Sequence, residues 1–211
     1  HGEPWSSRQR VRATGLLAEE CDHAEGRGEA AHPRFWPSVR ARLATDLDEF
    51  LVVDSVFRAQ FGSRPVASEH RFGDAEALRI PLADGRTLRF RGSIDRVDEA
   101  SDGGLVVVDA KTGSPKRYEK LPREYFPDGS LLQLPVYALA AATFGGHPAR
   151  HATYAFAGDV KAGHRHLGYD VTPTVEALFL EVLESIVRGV EAGSFPHLPP
   201  DSDRPEAHRC P

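Results

Sequence analysis

The run Leu105-Val106-Val107-Val108 constrains this chain more than any other stretch. It is short, continuous and mostly β-branched, the pattern of a strand buried on both faces at the centre of a sheet. A chain with such a strand must supply layers that cover both sides of the sheet. The run does not end in a turn residue. It ends in Asp109-Ala110-Lys111, which places two opposite charges two residues apart, on the same face of the strand.

The flanking sequence supplies the covering layers. From Pro37, apolar residues recur at three- and four-residue steps (Val39, Leu43, Leu47, Phe50, Leu51, Phe57, Phe61), which predicts a long helix closed at Gly62. The period then changes to two. Residues 65–72 read as a strand with Val66, Ser68, His70 and Phe72 on one face and Ala67, Glu69 and Arg71 on the other. Residues 78–82 and 87–91 flank the turn Ala83-Asp84-Gly85-Arg86, a hairpin signal, and 92–98 continues as strand. Residues 112–130 are irregular, broken by Pro115, Pro122 and Pro127. A helix is predicted over 131–144, strands over 152–157 and 167–171, and a last helix over roughly 174–192. This order predicts an α/β domain with a mixed central β-sheet flanked by helices. Residues 1–36 read as an N-terminal helical or irregular segment, with a short helix around Leu16 and Leu17. Residues 37–195 form the domain, and 196–211 read as a Pro-rich, truncated tail.

The chain has 211 residues and is 40% hydrophobic, enough for one domain with a sizeable core. No apolar run approaches the roughly 18 residues needed to cross a membrane, and no signal peptide is visible, so a soluble, cytoplasmic protein is expected. The chain starts at His1, contains no Met and ends at Arg209-Cys210-Pro211, and is read as a piece of a longer polypeptide. With only Cys21 and Cys210, it cannot build a disulfide framework or a complete zinc site by itself. The net charge of −5 argues mildly against a nucleic-acid partner. Local basic clusters offset that: Arg86, Arg89 and Arg91 on one side, and Lys116, Arg117, Lys120 and Arg123 after the Asp-x-Lys segment.

An Asp-x-Lys alone is most simply a surface ion pair worth about 0–1 kcal/mol. Its surroundings point elsewhere. Asp95 precedes it by one hairpin's length, in Gly92-Ser93-Ile94-Asp95-Arg96, and Gln133 and Tyr137 follow one helical turn apart. Asp95, Asp109 and the carbonyl of Ala110 would offer hard oxygen donors suited to Mg²⁺ or Mn²⁺. Lys111 beside them would position a water and stabilise charge developing on a phosphate.

In this order, G-x-x-D-R-x-D, V-V-D-x-K-T-G and Q-L-P-x-Y, the chain resembles the PD-(D/E)XK nuclease superfamily, and within it the RecB-type branch of helicase–nucleases and CRISPR-associated exonucleases. The resemblance covers about residues 37–195. Ile94 stands in place of the Pro of the nominal signature and Ala110 where a Tyr is common. The resemblance implies a restriction-endonuclease-like core, Asp95 and Asp109 as metal ligands, Lys111 as the catalytic lysine, and Gln133 and Tyr137 beside the phosphate and metal. It aligns Glu69 with an upstream acidic residue. A histidine that often precedes the core has one literal match, Gly28–His32, which Pro33 argues against; His23 has no better support. Some members of the branch hold a 4Fe-4S cluster, for which Cys210 would be the first late ligand if the intact chain continues.

The function implied is a Mg²⁺-dependent deoxyribonuclease, exonuclease-type, in DNA repair, recombination or defence. Its partner would be DNA, single-stranded or at duplex ends, with a helicase subunit or domain as a possible associate. No G-x-x-x-x-G-K-[ST] motif is present, so any motor would lie elsewhere. The alternative is a non-catalytic nuclease-like domain that binds nucleic acid or a partner protein. A remoter one is a metal-dependent hydrolase of another substrate. Arg96 and Asp98 are read as structural.

Overall fold

The computed structural model describes residues 2–194, apart from Pro122, Asp159 and Lys161. Two helices open the chain, α1 (Ser7–Gly26) and α2 (Trp36–Phe61). Strands β1 (Arg64–Phe72), β2 (Leu78–Pro81), β3 (Thr87–Phe90), β4 (Gly92–Glu99) and β5 (Leu105–Lys111) follow. After α3 (Gln133–Gly145) come β6 (Ala149–Phe156), β7 (His166–Asp170) and α4 (Pro173–Glu191). The main sheet runs β1-β4-β5-β6-β7, with β2 and β3 as a separate hairpin. All neighbours are antiparallel except β5 and β6. A parallel pair needs a crossover, and the segment carrying α3 provides it.

The continuous apolar run lies where its composition predicts, at the centre of the sheet. Val106 and Val108 pack with Ala155 against Phe57 of α2. Leu105 and Val107 pack into the larger core on the other face, with Leu134 of α3 and Phe179 of α4. By alternation Asp109 and Lys111 project from the α3 side of β5. Pro at the start of α2 and Gly62 in left-handed conformation at its end match the sequence signals. Among the described residues no helix is long and apolar enough to cross a membrane.

The amino terminus departs from expectation. The short helix expected near Leu16 is a 20-residue helix, started by a capping box in which Ser6 and Gln9 bond each other's backbones. Its apolar periodicity is weak, Cys21 being its one buried residue among those described, so the cap is the clearer signal.

The strict alternation predicted for β1 also fails. Ala67 and Phe72, expected on opposite faces, both pack against the main core, as do Ile94 and Val97 in the paired strand. Between them Glu69 adopts φ 47°, a left-handed backbone that interrupts an L-residue strand.

Candidate active site

Strands β4 and β5 pair from Glu99–Leu105 to Arg96–Val108. Continued by one step, the register would set Asp95 against Asp109, and there the ladder stops. Instead, Asp95 Oδ2 accepts the backbone N–H of Ala110 at 2.6 Å. Like charges at adjacent cross-strand positions oppose pairing, so a splayed strand end is the physical consequence of putting two carboxylates there.

Asp109 is 1% exposed. Burial pushes its carboxyl above the usual range, Lys111 pulls it back, and Asp95 adds to the rise. The Lys111 ammonium forms an ion pair with Asp109. It also donates to Gln133 Oε1 at 3.3 Å and lies 5.2 Å from the centre of the Tyr154 ring. Gln133 is fixed in turn, because its Nε2 donates to the Tyr137 hydroxyl oxygen at 2.8 Å. The two residues sit one turn apart on α3, so this contact follows from helical spacing. Burial raises the Tyr137 pKa, with Asp109 and Asp95 adding to the rise against the Gln133 bond, and this keeps the hydroxyl a proton donor.

Two backbone features border this cluster. Leu131, just before α3, has φ 60°, and Glu69 has φ 47°; both are left-handed non-glycine residues. Such strain persists where surrounding structure holds it and gathers at functional sites. Gly92 gives close approach: a Cβ there would fall 3.0 Å from Phe72 and 3.8 Å from Tyr137.

Five of the sequence-predicted residues therefore come together: Asp95, Asp109, Lys111, Gln133 and Tyr137. Glu69 is placed differently. It is exposed at the rim of a cavity of about 710 Å³ and takes a 3.4 Å hydrogen bond from Ser93 Oγ. Among the described residues no group of three or more His, Cys, Asp or Glu side chains is placed to hold a metal ion. The side chains that would meet a cation here are the Asp95 and Asp109 carboxylates, tied together through the Asp95–Ala110 hydrogen bond. That set fits Mg²⁺, which commonly takes one or two carboxylates and completes its shell with water and substrate phosphate.

Lys116 and Arg117 lie on a single turn over residues 115–118, whose Tyr118 ring packs 4.5 Å from Tyr154 and so beside Lys111. Lys120 pairs with Glu124 at 3.5 Å, and Arg123 is exposed nearby. His32 is exposed ahead of α2, and His23 pairs with Glu20 on α1. Cys21 is buried on α1, whereas Cys210 lies outside the described residues.

Sequence reasoning missed a buried charge network on the opposite face of the sheet. Asp54 of α2, fully buried, accepts from Arg96 Nη2 at 2.7 Å, Trp5 Nε1 at 2.8 Å and Arg58 Nε at 3.2 Å. His166 Nε2 lies 3.4 Å from it, and Arg96 Nε lies 2.9 Å from Asp98. Burial would raise the Asp54 carboxyl, but His166, Arg96 and Trp5 outweigh it and hold the pKa well below normal. Asp98 goes the other way: burial, with Asp54 adding, pushes it up to about 6 against Arg96 and Arg58. Arg96 directly follows Asp95, so this network anchors β4 from behind the site. The available signal was Asp54 itself, a charge inside the apolar stripe Phe50, Leu51, Phe57, where only a partnered acid is tolerated.

No curated protein matches the chain. The crystal structure of SSO0001 aligns with 85% of this chain and 70% of its own, at 19% identity and a TM-score of 0.35. The family model of the PD-(D/E)XK nuclease superfamily matches residues 5–211, nearly the whole length. With that match, and with an Asp-x-Lys strand end, a second Asp across the splayed ladder and a Gln–Tyr helix face converging on one point, the chain belongs to the PD-(D/E)XK nuclease superfamily.

Proposed function

We propose that this chain is a metal-dependent DNA nuclease of exonuclease type, with the Asp95–Asp109–Lys111 cluster as its catalytic centre. The observation that carries the reading is the ion pair and hydrogen bond that hold Lys111 between Asp109 and Gln133, beside the splayed β4–β5 end. A structural salt bridge would not need a second carboxylate opposite it or a glutamine locked by a tyrosine.

In this reading Asp95, Asp109 and the Ala110 carbonyl would hold Mg²⁺ or Mn²⁺. When bound, the ion polarises the scissile phosphate and lowers the pKa of an attacking water. Lys111, released from its contact with Asp109, turns its ammonium to the phosphate and stabilises the charge that builds on its oxygens. Gln133 limits the directions Lys111 can take. The Tyr137 hydroxyl accepts from Gln133 and keeps its own proton to donate to a phosphate oxygen. Lys116 and Arg117, across Tyr118 and Tyr154, would hold backbone phosphates on that side.

A non-catalytic binding domain is the second reading, and the intact set of five residues weighs against it. The test is incubation with end-labelled single- and double-stranded DNA in Mg²⁺, Mn²⁺ or EDTA, beside the Lys111→Ala protein. Cleavage that needs metal and disappears in the variant is expected. Folded wild-type protein that binds DNA without cutting it would favour the second reading.

A further inference from the structure

The cavity of about 710 Å³ beside the catalytic cluster is lined by Glu69, Arg71, Asp74, Arg91, Gly92 and Ser93. One of its lining residues, Gly92, packs close to Tyr137 of the cluster, 3.8 Å from where a Gly92 Cβ would stand. Arg91 is the residue that joins β3 to β4. Two residues back on β3 stands Arg89, and directly across the hairpin from Arg89 stands Arg79. The hairpin has two distinct faces. Ile80 pairs with Leu88 and Leu78 with Phe90, and all four pack toward the core, so Arg79 and Arg89 point outward, and both are exposed.

Two arginines directly opposite each other in an antiparallel pair repel and weaken the hairpin. Neighbouring cations show how the fold handles charge when it serves structure. Arg71 is taken up by Asp74, and Arg86 by Asp84 and Glu191. None of the ion pairs among the described residues involves Arg79, Arg89 or Arg91. In a chain of net charge −5, three arginines without an ion pair among the described residues stand on this hairpin and its junction with β4, and the last of them, Arg91, lines the cavity. Their guanidinium forks match phosphate oxygens. A row of such groups, spaced by strand geometry, fits a polymer of phosphates better than one small anion.

We propose that the outward face of the β2–β3 hairpin, through Arg79, Arg89 and Arg91, is a nucleic-acid backbone track that leads one strand across the cavity to Asp95 and Asp109. This rests on the nuclease reading for its destination but not for its binding chemistry. Arg91 directly precedes β4, whereas the turn carrying Lys116 and Arg117 packs through Tyr118 on Tyr154 of β6, on the other side of β5, so a strand would be held on both sides of the point of cleavage. Glu69, which lines the same cavity, would turn away phosphates that stray from the arginine side.

The test is binding to labelled single-stranded and duplex oligonucleotides in EDTA, where no cleavage occurs, over a range of salt concentrations. The double variant Arg79→Ala/Arg89→Ala should bind single strands about tenfold or more weakly, with a salt slope shallower by about 1.4. Arg91→Ala should lower the slope by about 0.7. Arg79→Lys/Arg89→Lys should restore the slope, because phosphate attraction needs the charge. The control Arg8→Ala/Arg12→Ala removes two exposed charges on α1 and should leave the slope unchanged. Hairpin variants that are folded by circular dichroism and keep the wild-type slope would overturn the proposal. So would an equal loss in the α1 control, or wild-type protein that binds neither oligonucleotide. Cleavage in Mg²⁺ judges the nuclease reading separately: a chain that cuts DNA but fails these binding tests loses the track alone.

Discussion

Asp95 Oδ2 holds the backbone N–H of Ala110 at 2.6 Å, one residue past Asp109, so each carboxylate stands where the other's strand stops pairing. The hydrogen bond replaces the ladder bond that the two strands give up. It ties the position of one proposed ligand to the strand that carries the other, and makes β4 and β5 a single unit at this end.

Asp109→Asn should lose at least about 10²-fold in cleavage rate while folding as well as the wild type or better. The sign follows from its raised pKa. A carboxyl whose folded pKa lies above its unfolded value is costly to ionise in the folded state, and that cost is present at neutral pH. Thermal unfolding at pH 7 beside a cleavage assay checks both parts. A variant that cuts at the wild-type rate removes Asp109 from the mechanism.

Tyr137→Phe keeps the ring against Phe72, at 5.9 Å between centroids, but removes the oxygen that fixes Gln133. Activity should fall by about 10–100-fold, the usual range for groups that orient a metal site's residues, with little change in melting temperature. Equal losses for Tyr137→Phe and Gln133→Ala, with no further loss in the double variant, would show that the two act as one unit. Independent, multiplying losses would refute that coupling.

Asp54→Ala removes the acid that Arg96, Arg58 and Trp5 share and leaves buried cations uncompensated. A cost of about 3–5 kcal/mol is expected in urea denaturation. Trp5→Phe, which loses one hydrogen bond to a charged group, should cost about 1.5–3 kcal/mol. A negligible effect of Asp54→Ala would mean that the network is not what holds α2 on the sheet.

The same network gives stability a pH dependence with two opposite parts. Asp98, pushed up to about 6, is protonated in the folded state at a pH where the unfolded chain is ionised. Its ionisation opposes folding above about pH 6, and this penalty fades as pH falls toward about 4. Asp54, held low, contributes stability above about pH 4 that is lost as pH falls further. Arg96 and Arg58 face both groups and His166 faces Asp54, so the contributions are shared. Asp98→Asn should flatten the decline in melting temperature between pH 4 and 7. An unchanged profile would rule out Asp98 as its source.

Gly168 on β7 crosses Thr153 of β6 so closely that a Cβ would overlap the Ala152 carbonyl oxygen and sit 2.6 Å from Thr153 Cα. Gly168→Ala should destabilise by about 1–3 kcal/mol by forcing the two strands apart. An alanine variant with the wild-type melting temperature would mean that β7 moves freely at this edge.

Much of the site was legible in the residues because its chemistry is local. Asp109 and Lys111 share a strand face by period two, Gln133 and Tyr137 a helix face by one turn, and Asp95 lies one hairpin away. The long helix ending at Gly62 and the continuous valine run were equally plain, since each is a periodic or unbroken apolar pattern. Glu69 shows where local reasoning ends. Alternation places it in a strand, but its left-handed backbone and its contact with Ser93 depend on how β1 lies against β4.

By itself, then, the sequence determined the central strand, the helices that cover it and the residue types at the strand end, all set by patterns within one element. Only the tertiary structure decided that Asp95 meets Ala110 across a broken ladder and that Lys111 rests between Asp109 and Gln133. It alone brought Trp5, Asp54, Arg96 and His166 together behind the site. Those contacts join residues as far apart in the chain as Asp54 and His166, and no period in a single segment encodes which distant charge will neutralise a buried one.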